Sequence, residues 1–161
     1  MPSIAAIGLG SNQGDSRSIL EGALATLAKT EGITPYRHSS WYRTAPIGPP
    51  QPDYLNGCAL IRVNIGPSQL LQTLLDIEQQ YGRTRTQRWG PRTLDLDLLL
   101  YDNAIVHTPT LELPHPRMRD RAFVLVPLAE IAPEWIEPVS GLTIATLLHG
   151  LDCSGVEKYH I

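Results

Sequence analysis

The sequence predicts an α+β fold, in which an antiparallel-rich sheet carries helices on at least one face. Short apolar segments bounded by Gly and Pro are typical of strands. Longer segments with an apolar residue at every third or fourth position are typical of amphipathic helices. The two kinds of segment alternate along 161 residues without a repeat, a low-complexity tract or a linker. We therefore expect a single domain over residues 1–161.

The first half of the chain contains three predicted strands and two predicted helices. The strands span residues 3–9, 33–43 and 55–63. Residues 8–14 carry a turn signal, after which Asp15 or Ser16 caps a helix that Gly32 ends. A second helix opens at Pro67 and ends at Gly82. Between the second and third predicted strands, residues 44–52 hold four of the fourteen prolines and are predicted to be a loop.

The second half begins with a polar, basic loop over residues 83–93. A fourth strand is predicted over residues 94–101, followed by a turn and a short hairpin partner over residues 104–107. Residues 109–116 are predicted to be mostly irregular, and residues 122–131 and 143–151 to be short helices. The order βαββαβ followed by further elements is the ferredoxin-like plan, with helices packed on an antiparallel sheet and extra carboxyl-terminal elements.

Composition excludes several classes of protein. The net charge of −3 provides no global field for nucleic acid, although seven of the eleven arginines fall between Arg83 and Arg121. Two cysteines, Cys58 and Cys153, make neither a disulfide framework nor a metal spacing. The first ten residues lack a secretory pattern, and no apolar run is long enough to cross a bilayer. We expect a cytoplasmic protein without a membrane or nucleic-acid partner.

The sharpest local feature is the pair Asp95 and Asp97 on the fourth predicted strand. Residues two apart on a strand point to the same face, with backbones about 7 Å apart. Carboxylate oxygens without Cys or His favour Mg²⁺, and paired ions in phosphoryl transfer lie about 3.5–4 Å apart. Leu94, Leu96 and Leu98 point to the opposite face and are predicted to anchor the strand. The alternative is a solvated strand face with two ordinary acids.

A basic loop runs directly into this acidic pair. Four arginines surround Trp89 within eleven residues: Arg83, Arg85, Arg88 and Arg92. Arginine neutralises phosphate charge and Trp offers a flat face to a ring or a guanidinium. If the loop is considered alone, the alternative interpretation is a solvated basic loop without a ligand. Together with the acids, it has the composition that a polyphosphate site requires.

Two weaker features complete the set of candidates. Pro114 and Pro116 pin the backbone around His115, with Arg121 and Phe123 shortly after. The alternative there is a rigid connector with a surface histidine. Tyr54 and Asn56 share a strand face, where a heterocycle can stack and hydrogen-bond. The alternative is a half-buried tyrosine beside a strand-end asparagine.

Seven stretches, in order from the first strand to near the carboxyl end, carry a resemblance to one known family. The most specific is the ten-residue run Arg88-Trp-Gly-Pro-Arg-Thr-Leu-Asp-Leu-Asp97. The others are residues 7–12, 40–46, 51–56, 82–83, 114–115 and 121–128. On these stretches the chain resembles the 6-hydroxymethyl-7,8-dihydropterin pyrophosphokinases, and the resemblance covers essentially the whole chain.

The resemblance implies a reaction and roles for individual residues. The β,γ-diphosphate of ATP would pass to the pterin hydroxymethyl oxygen with release of AMP, a step of folate biosynthesis. Two Mg²⁺ ions would be held by Asp95 and Asp97, and the phosphates gripped by Arg83, Arg85 and Arg92. The ATP region would comprise Glu78, Trp89, Leu98, His115 and Arg121, with Trp89 on a loop that closes over the ligands. The pterin region would comprise Thr44, Pro46, Tyr54, Asn56 and Phe123, with Tyr54 and Phe123 sandwiching the ring.

Two rival functions use the same residues. A two-metal nucleotide phosphohydrolase would employ the same acids and arginines with water as the nucleophile. A non-catalytic ferredoxin-like module would bind a nucleotide or RNA, but single-stranded RNA favours several exposed aromatics on the sheet, and the acidic pair repels phosphate without a metal. We expect a monomer whose partners are its small-molecule substrates.

Overall fold

A six-stranded antiparallel sheet organises the part of the chain that the computed structural model describes, residues 2–45, 52–81 and 93–159. The strands, in chain order, are β1 (Ser3–Ser11), β2 (Ile33–His38), β3 (Tyr42–Thr44), β4 (Tyr54–Val63), β5 (Asp95–Tyr101), β6 (Val106–His107), β7 (Glu112–Leu113) and β8 (Val156–Lys158). In the sheet, β5 pairs with β1, β1 with β4, and β4 with both β2 and β3, while β8 pairs with β3. The β6–β7 ribbon is separate from this sheet.

Four helices cover the sheet, and local sequence signals explain where they begin. They are α1 (Ser16–Ala28), α2 (Pro67–Gln80), α3 (Ala122–Ile131) and α4 (Ile144–His149). The carboxylate of Asp15 accepts a hydrogen bond from the Ser18 N–H, which confirms the predicted cap of α1. Pro67 occupies the first turn of α2, where no N–H is needed. Thr143 caps α4 by accepting from the Thr146 N–H.

The sheet separates two apolar cores, so both of its faces are covered. Helices α1 and α2 bury Leu20, Leu27, Leu70 and Leu74 against one face. The other face packs against α3 and α4, whose buried residues there are Val124, Leu125, Leu128, Ile131 and Ile144. Each fully buried aliphatic side chain contributes about 1.5–3 kcal/mol to stability. Among the described residues, no helix has the length and apolar character needed to cross a bilayer.

A β-bulge in β5 explains why this segment alternates at first and then becomes wholly apolar. Ala6 of β1 faces Leu100 and Ile7 faces Leu98, which leaves Leu99 as the extra residue. Leu98 therefore belongs to the α1–α2 core, whereas Leu99 and Leu100 belong to the α3–α4 core. Because the bulge shifts the alternation, the consecutive residues Leu99 and Leu100 are buried on the same face, opposite to Leu98.

Two predicted boundaries in the first half of the chain are wrong. The first strand was predicted to end at residue 9, but it continues through Ser11, because β4 pairs with it as far as Ser11 and β5 as far as Gly10. The predicted strand over residues 33–43 is two strands, interrupted where Ser39 exchanges hydrogen bonds with Cys58. Beside this break the Trp41 ring covers Gly57 so closely that a β-carbon there would lie 2.5 Å from it.

The predicted hairpin after the fourth strand is also wrong. Val106 and His107 pair with β7 rather than with β5. The turn between β6 and β7 is closed by Thr108, whose Oγ1 accepts from the Leu111 N–H at 3.0 Å. At the edge of β5 the Leu99 carbonyl instead accepts a hydrogen bond from the His115 N–H at 2.9 Å. The predicted helix over residues 122–131 is confirmed at both ends as α3, whereas the three residues of β8 were not predicted.

Candidate active site

The two acids lie on one face of β5, as their spacing predicts. Asp95 and Asp97 are half-buried, and the leucines that alternate with them are buried on the opposite face. Leu94, Leu96 and Leu98 are all at most 4% exposed, so the prediction that they anchor the strand is confirmed. Two half-buried carboxylates on one strand face suit Mg²⁺, which is usually bound by one or two carboxylates together with substrate phosphates and water. Among the described residues no third His, Cys, Asp or Glu joins them to form a larger ligand cluster.

Two glycines of β1 form a trough without side chains beside the acids. Gly10 lies opposite Asp95, and Gly8 lies opposite Asp97. Directly paired residues share a face, so side chains at positions 8 and 10 would stand on the surface that carries the carboxylates. At these two positions β1 therefore carries no side chain between β5 and β4, and Gly8 is half-buried whereas Gly10 is buried.

Asn56 and Thr44 form the far wall of this trough. Asn56 of β4 lies opposite Gly10, on the side away from Asp95. Its Nδ2 donates to Thr44 Oγ1 at 2.7 Å, and both residues are less than 9% exposed. Because Thr44 is the cross-strand partner of Tyr54, the structure brings together three of the predicted pterin-binding residues.

The start of α3 approaches the same face from above. The Cys58 thiol donates to the Val124 carbonyl at 3.6 Å, which ties the first turn of α3 to β4. Burial and then the Asp97 charge raise the pKa of Cys58, so its thiol stays protonated. Phe123 precedes this contact, with the Arg121 guanidinium 5.5 Å from its ring centre. The predicted stacking of Tyr54 and Phe123 on a ring stays a prediction.

A pocket of about 340 Å³ lies beside β5, between α2 and the β6–β7 ribbon. Its volume falls within the range of small-molecule sites. Three of the predicted ATP-binding residues line it, namely Glu78, Leu98 and His115. Asp97 lines the pocket as well. The pocket and the glycine trough therefore meet at Asp97.

Glu78 has a structural contact that the sequence did not reveal. It is only 2% exposed, and its Oε2 accepts a hydrogen bond from the Leu96 N–H at 2.7 Å. Leu96 stands between the two acids on an edge strand, where an amide otherwise lacks a strand partner. Glu78 thus holds the backbone that carries Asp95 and Asp97, and its predicted contact with ATP stays a prediction.

His115 is held in its neutral form with a defined tautomer. The Arg117 N–H donates to His115 Nδ1 at 3.2 Å, so that nitrogen carries no proton and the ring proton resides on Nε2. Burial, followed by the charges of Arg121 and Arg117, lowers the pKa of His115. A neutral imidazole in the pocket therefore presents an N–H donor.

The His115 environment predicts a pH dependence of stability. Since its pKa in the folded protein lies below the ordinary value of 6.5, the unfolded chain binds the proton more readily. The resulting stabilisation is present above pH 6.5 and is lost as the pH falls through the folded-state pKa. Melting temperatures at pH 7.5 and 5.5 should therefore differ less in His115→Asn than in the wild type. Equal differences would contradict this, and exposed His107→Asn is the matched control.

Five predicted site residues lie outside the described residues: Pro46, Arg83, Arg85, Trp89 and Arg92. The first described residue after the basic loop is Thr93, whose Oγ1 donates to Gln13 Oε1 at 3.4 Å. This contact brings the carboxyl end of the loop beside the end of β1.

Sequence reasoning missed three residues of the site: Gly8, Gly10 and Asn12. Gly10 was assigned to a turn and Gly8 to the overlap of that turn with the first strand, although their spacing of two matches that of the acids opposite them. Asn12 is 2% exposed, and its Nδ2 donates to the Pro52 carbonyl at 3.0 Å. It ties the end of β1 to the segment that enters β4.

Comparisons with known proteins agree with this geometry. The family described as 7,8-dihydro-6-hydroxymethylpterin-pyrophosphokinase matches residues 6–133. A Synechocystis 2-amino-4-hydroxy-6-hydroxymethyldihydropteridine pyrophosphokinase is 55% identical over 152 residues, covering 94% of this chain and 78% of that protein. The Methylorubrum extorquens protein of the same name is 46% identical over 153 residues, covering 94% and 96%.

Solved structures show the same fold at low sequence identity. The crystal structure of wild-type Plasmodium falciparum HPPK-DHPS with pteroate matches with a TM-score of 0.76 and 13% identity. The match covers 93% of this chain and 42% of that one, so this chain spans less than half of that longer protein.

Proposed function

We infer that this chain, which belongs to the 7,8-dihydro-6-hydroxymethylpterin-pyrophosphokinase family, carries out its reaction where the pocket beside β5 meets the glycine trough. It is a diphosphotransferase that transfers the diphosphate of ATP to 6-hydroxymethyl-7,8-dihydropterin in folate biosynthesis. The observation that carries the placement is the position of Asp97, which lines the pocket and also faces the trough. A transfer between two substrates needs such a shared boundary.

The pocket is the proposed site of the nucleotide. Its apolar lining beside α2 suits a flat base, and the neutral His115 offers an N–H donor to a phosphate or sugar oxygen. Arg121, next to Phe123, supplies positive charge near the histidine. We propose that Arg83, Arg85 and Arg92 grip the phosphates and that Trp89 belongs to a loop that closes over them.

The trough is the proposed site of the pterin. The Asn56 amide and the Thr44 hydroxyl offer the mixed donors and acceptors that a pterin edge requires. Tyr54 and Phe123 would sandwich the ring, and Pro46 would cover it. Gly8 and Gly10 add no side chain beside the acids, which supports placing the hydroxymethyl group there.

The acid pair is the proposed holder of two Mg²⁺ ions. Asp95 and Asp97 provide the hard oxygen donors that this ion prefers. Bound there, Mg²⁺ would neutralise triphosphate charge during the transfer. Glu78 contributes by fixing the strand segment between the two ligands.

The chain's own residues act in the chemistry mainly by positioning. The hydroxymethyl oxygen attacks the β-phosphorus in line, an O–P bond forms, and the bond to the oxygen retained by AMP breaks while the hydroxyl proton is released. Asn56 and Thr44 would orient the pterin, and the acids would orient the triphosphate through the Mg²⁺ that they would hold. No side chain on this face is assigned as a general base.

The activity assay separates this function from a phosphohydrolase. Incubation with ATP, Mg²⁺ and hydroxymethyl-dihydropterin should release AMP together with the pterin diphosphate. Omission of the pterin should abolish AMP release, because water is not the intended nucleophile. Equal nucleotide breakdown without pterin would instead support the hydrolase.

Several broader expectations are part of the same proposal. The order β5, β1, β4 and then β2 with β3 supports a ferredoxin-like βαββαβ plan, in which β2 and β3 together fill the second strand position. One continuous sheet between two cores supports a single domain. A monomeric state and a cytoplasmic location stay predictions.

A further inference from the structure

A carboxylate outside the site described above links α3 to β3. Glu130 precedes the last residue of α3, and its Oε1 accepts from the Tyr42 hydroxyl at 2.6 Å. The Ser40 N–H lies 3.1 Å from both carboxylate oxygens, and Ser40 Oγ donates to Oε2 at 3.0 Å. One side chain thus receives hydrogen bonds from the backbone and two hydroxyls at the entry of β3.

The charge states of these groups suit the contact. Burial raises the pKa of Glu130, but the hydrogen bonds from Tyr42 and Ser40 and the Lys158 charge lower it further than burial raises it. The net pKa is lowered, so the carboxylate is ionised at neutral pH. Burial and the Glu130 hydrogen bond raise the pKa of Tyr42, which therefore keeps its proton and remains a donor. Bonds from neutral donors to an ionised acceptor are among the stronger hydrogen bonds.

This contact lies on the strand that carries the pterin wall. Tyr42 is the cross-strand partner of Asn56, and Thr44 lies two residues further along the same three-residue strand. Only Arg43 separates Tyr42 from Thr44, so we expect a shift of Tyr42 to displace Thr44 as well. The hydrogen bond from Asn56 Nδ2 to Thr44 would change with it.

The other end of the linked helix carries the opposite wall. Phe123 lies seven positions before Glu130, which is about 10 Å along a helix. Helix α3 is tied to the sheet near Phe123 by Cys58 and near its last turn by Glu130. The Glu130 contact therefore sets how far β3 stands from the helix that presents Phe123.

We propose that Glu130 is a positioning residue for the pterin, which holds β3 against α3 and thereby sets the separation between the Thr44–Asn56 pair and Phe123. The proposal rests on the proposed function, because it takes this face as the pterin site. The nucleotide pocket lies on the far side of the acids beside β5, and the Glu130 contact does not reach it. Loss of the contact should therefore affect one substrate and spare the other.

The test compares both substrates in Glu130→Ala, Glu130→Gln and Tyr42→Phe. Calorimetric titration of each substrate alone, with turnover measured in parallel, should show pterin affinity about tenfold weaker in Glu130→Ala. ATP affinity should stay within about twofold, because its pocket keeps its contacts. Glu130→Gln should recover most of the pterin affinity, since its amide oxygen still accepts from Tyr42 and Ser40. Tyr42→Phe, which keeps the ring, should give an intermediate loss.

Arg37→Ala is the matched control for a general loosening of α3. Arg37 Nη1 donates to the Ile131 carbonyl at 2.9 Å, so it ties the same helix end to β2 instead of β3. It should lower the melting temperature and leave pterin affinity unchanged. Equal losses for both substrates in Glu130→Ala, or a pterin loss in Arg37→Ala as large as in Glu130→Ala, would overturn the role of Glu130. Absence of AMP formation by the wild type would instead overturn the proposed function, since the titrations do not depend on turnover.

Discussion

Asp97→Ala should lower turnover by about a thousandfold while the protein stays folded. Asp97 is the carboxylate shared by the proposed nucleotide pocket and the trough, so its loss removes a proposed metal ligand at the proposed point of transfer. Its side chain is half-buried, and the leucines that hold β5 in the core are untouched. The measurement is AMP formation at saturating ATP and pterin over a range of Mg²⁺ concentrations.

Two further variants sharpen this result. Asp97→Asn keeps the shape but removes the charge, and it should be nearly as inactive because a neutral amide is a poor ligand for Mg²⁺. Asp76→Ala removes an exposed acid of α2 whose carboxylate meets only Gln72 in the described contacts, and it should retain full activity. Near-normal turnover in Asp97→Ala, with a normal response to Mg²⁺, would remove the basis for the metal assignment.

Gly10→Ala should reduce kcat/KM for the pterin by about a hundredfold, with a much smaller change in KM for ATP. A β-carbon at position 10 would lie 2.8 Å from Asn56 Oδ1, closer than such atoms can approach. The amide has little freedom to turn away, because its Nδ2 is hydrogen-bonded to Thr44 at 2.7 Å. The substitution must therefore displace the residue that we expect to orient the pterin.

Gly8→Ala is the matched control on the same strand and the same face. A β-carbon at position 8 would meet Leu99 Cδ1 at 3.6 Å and Asp97 Cβ at 3.8 Å, which are ordinary contacts. Gly8→Ala should therefore lower the pterin kcat/KM and the melting temperature less than Gly10→Ala does. If the two variants lose pterin activity equally, the trough is sensitive to any added volume and the specific role of Asn56 is not supported.

Local patterns in the sequence were sufficient for several elements. Asp15 caps α1 because its side chain bonds to an amide three residues away, and such contacts depend on neighbouring residues alone. The shared face of Asp95 and Asp97 follows from the two-residue period of a strand, whatever the partner strands are. Both ends of α3 were likewise predicted, although Pro127 lies inside it, since the apolar segment around it is continuous.

The predictions of strand boundaries and strand pairing were wrong where contacts with residues distant in the sequence overrode the local sequence pattern. Gly8 and Gly10 are typical of a turn when read locally, but strands on both sides draw them into β1. Val106 and His107 were paired with the nearest strand, whereas the edge of β5 is taken by the His115 amide and they pair with Glu112 and Leu113 instead. Such outcomes depend on contacts between segments that no local window contains.

By itself, the sequence determined the chemistry of this protein: two acids on one strand face, a basic loop before them, and a family whose motifs run through most of the chain. The tertiary structure decided which residues face one another. Register alone places Gly10 between Asp95 and Asn56, and packing alone brings Glu78 to the Leu96 amide and Glu130 to Tyr42. The physical reason is that side-chain periodicity is a property of each segment, whereas register and packing minimise the free energy of all the segments together.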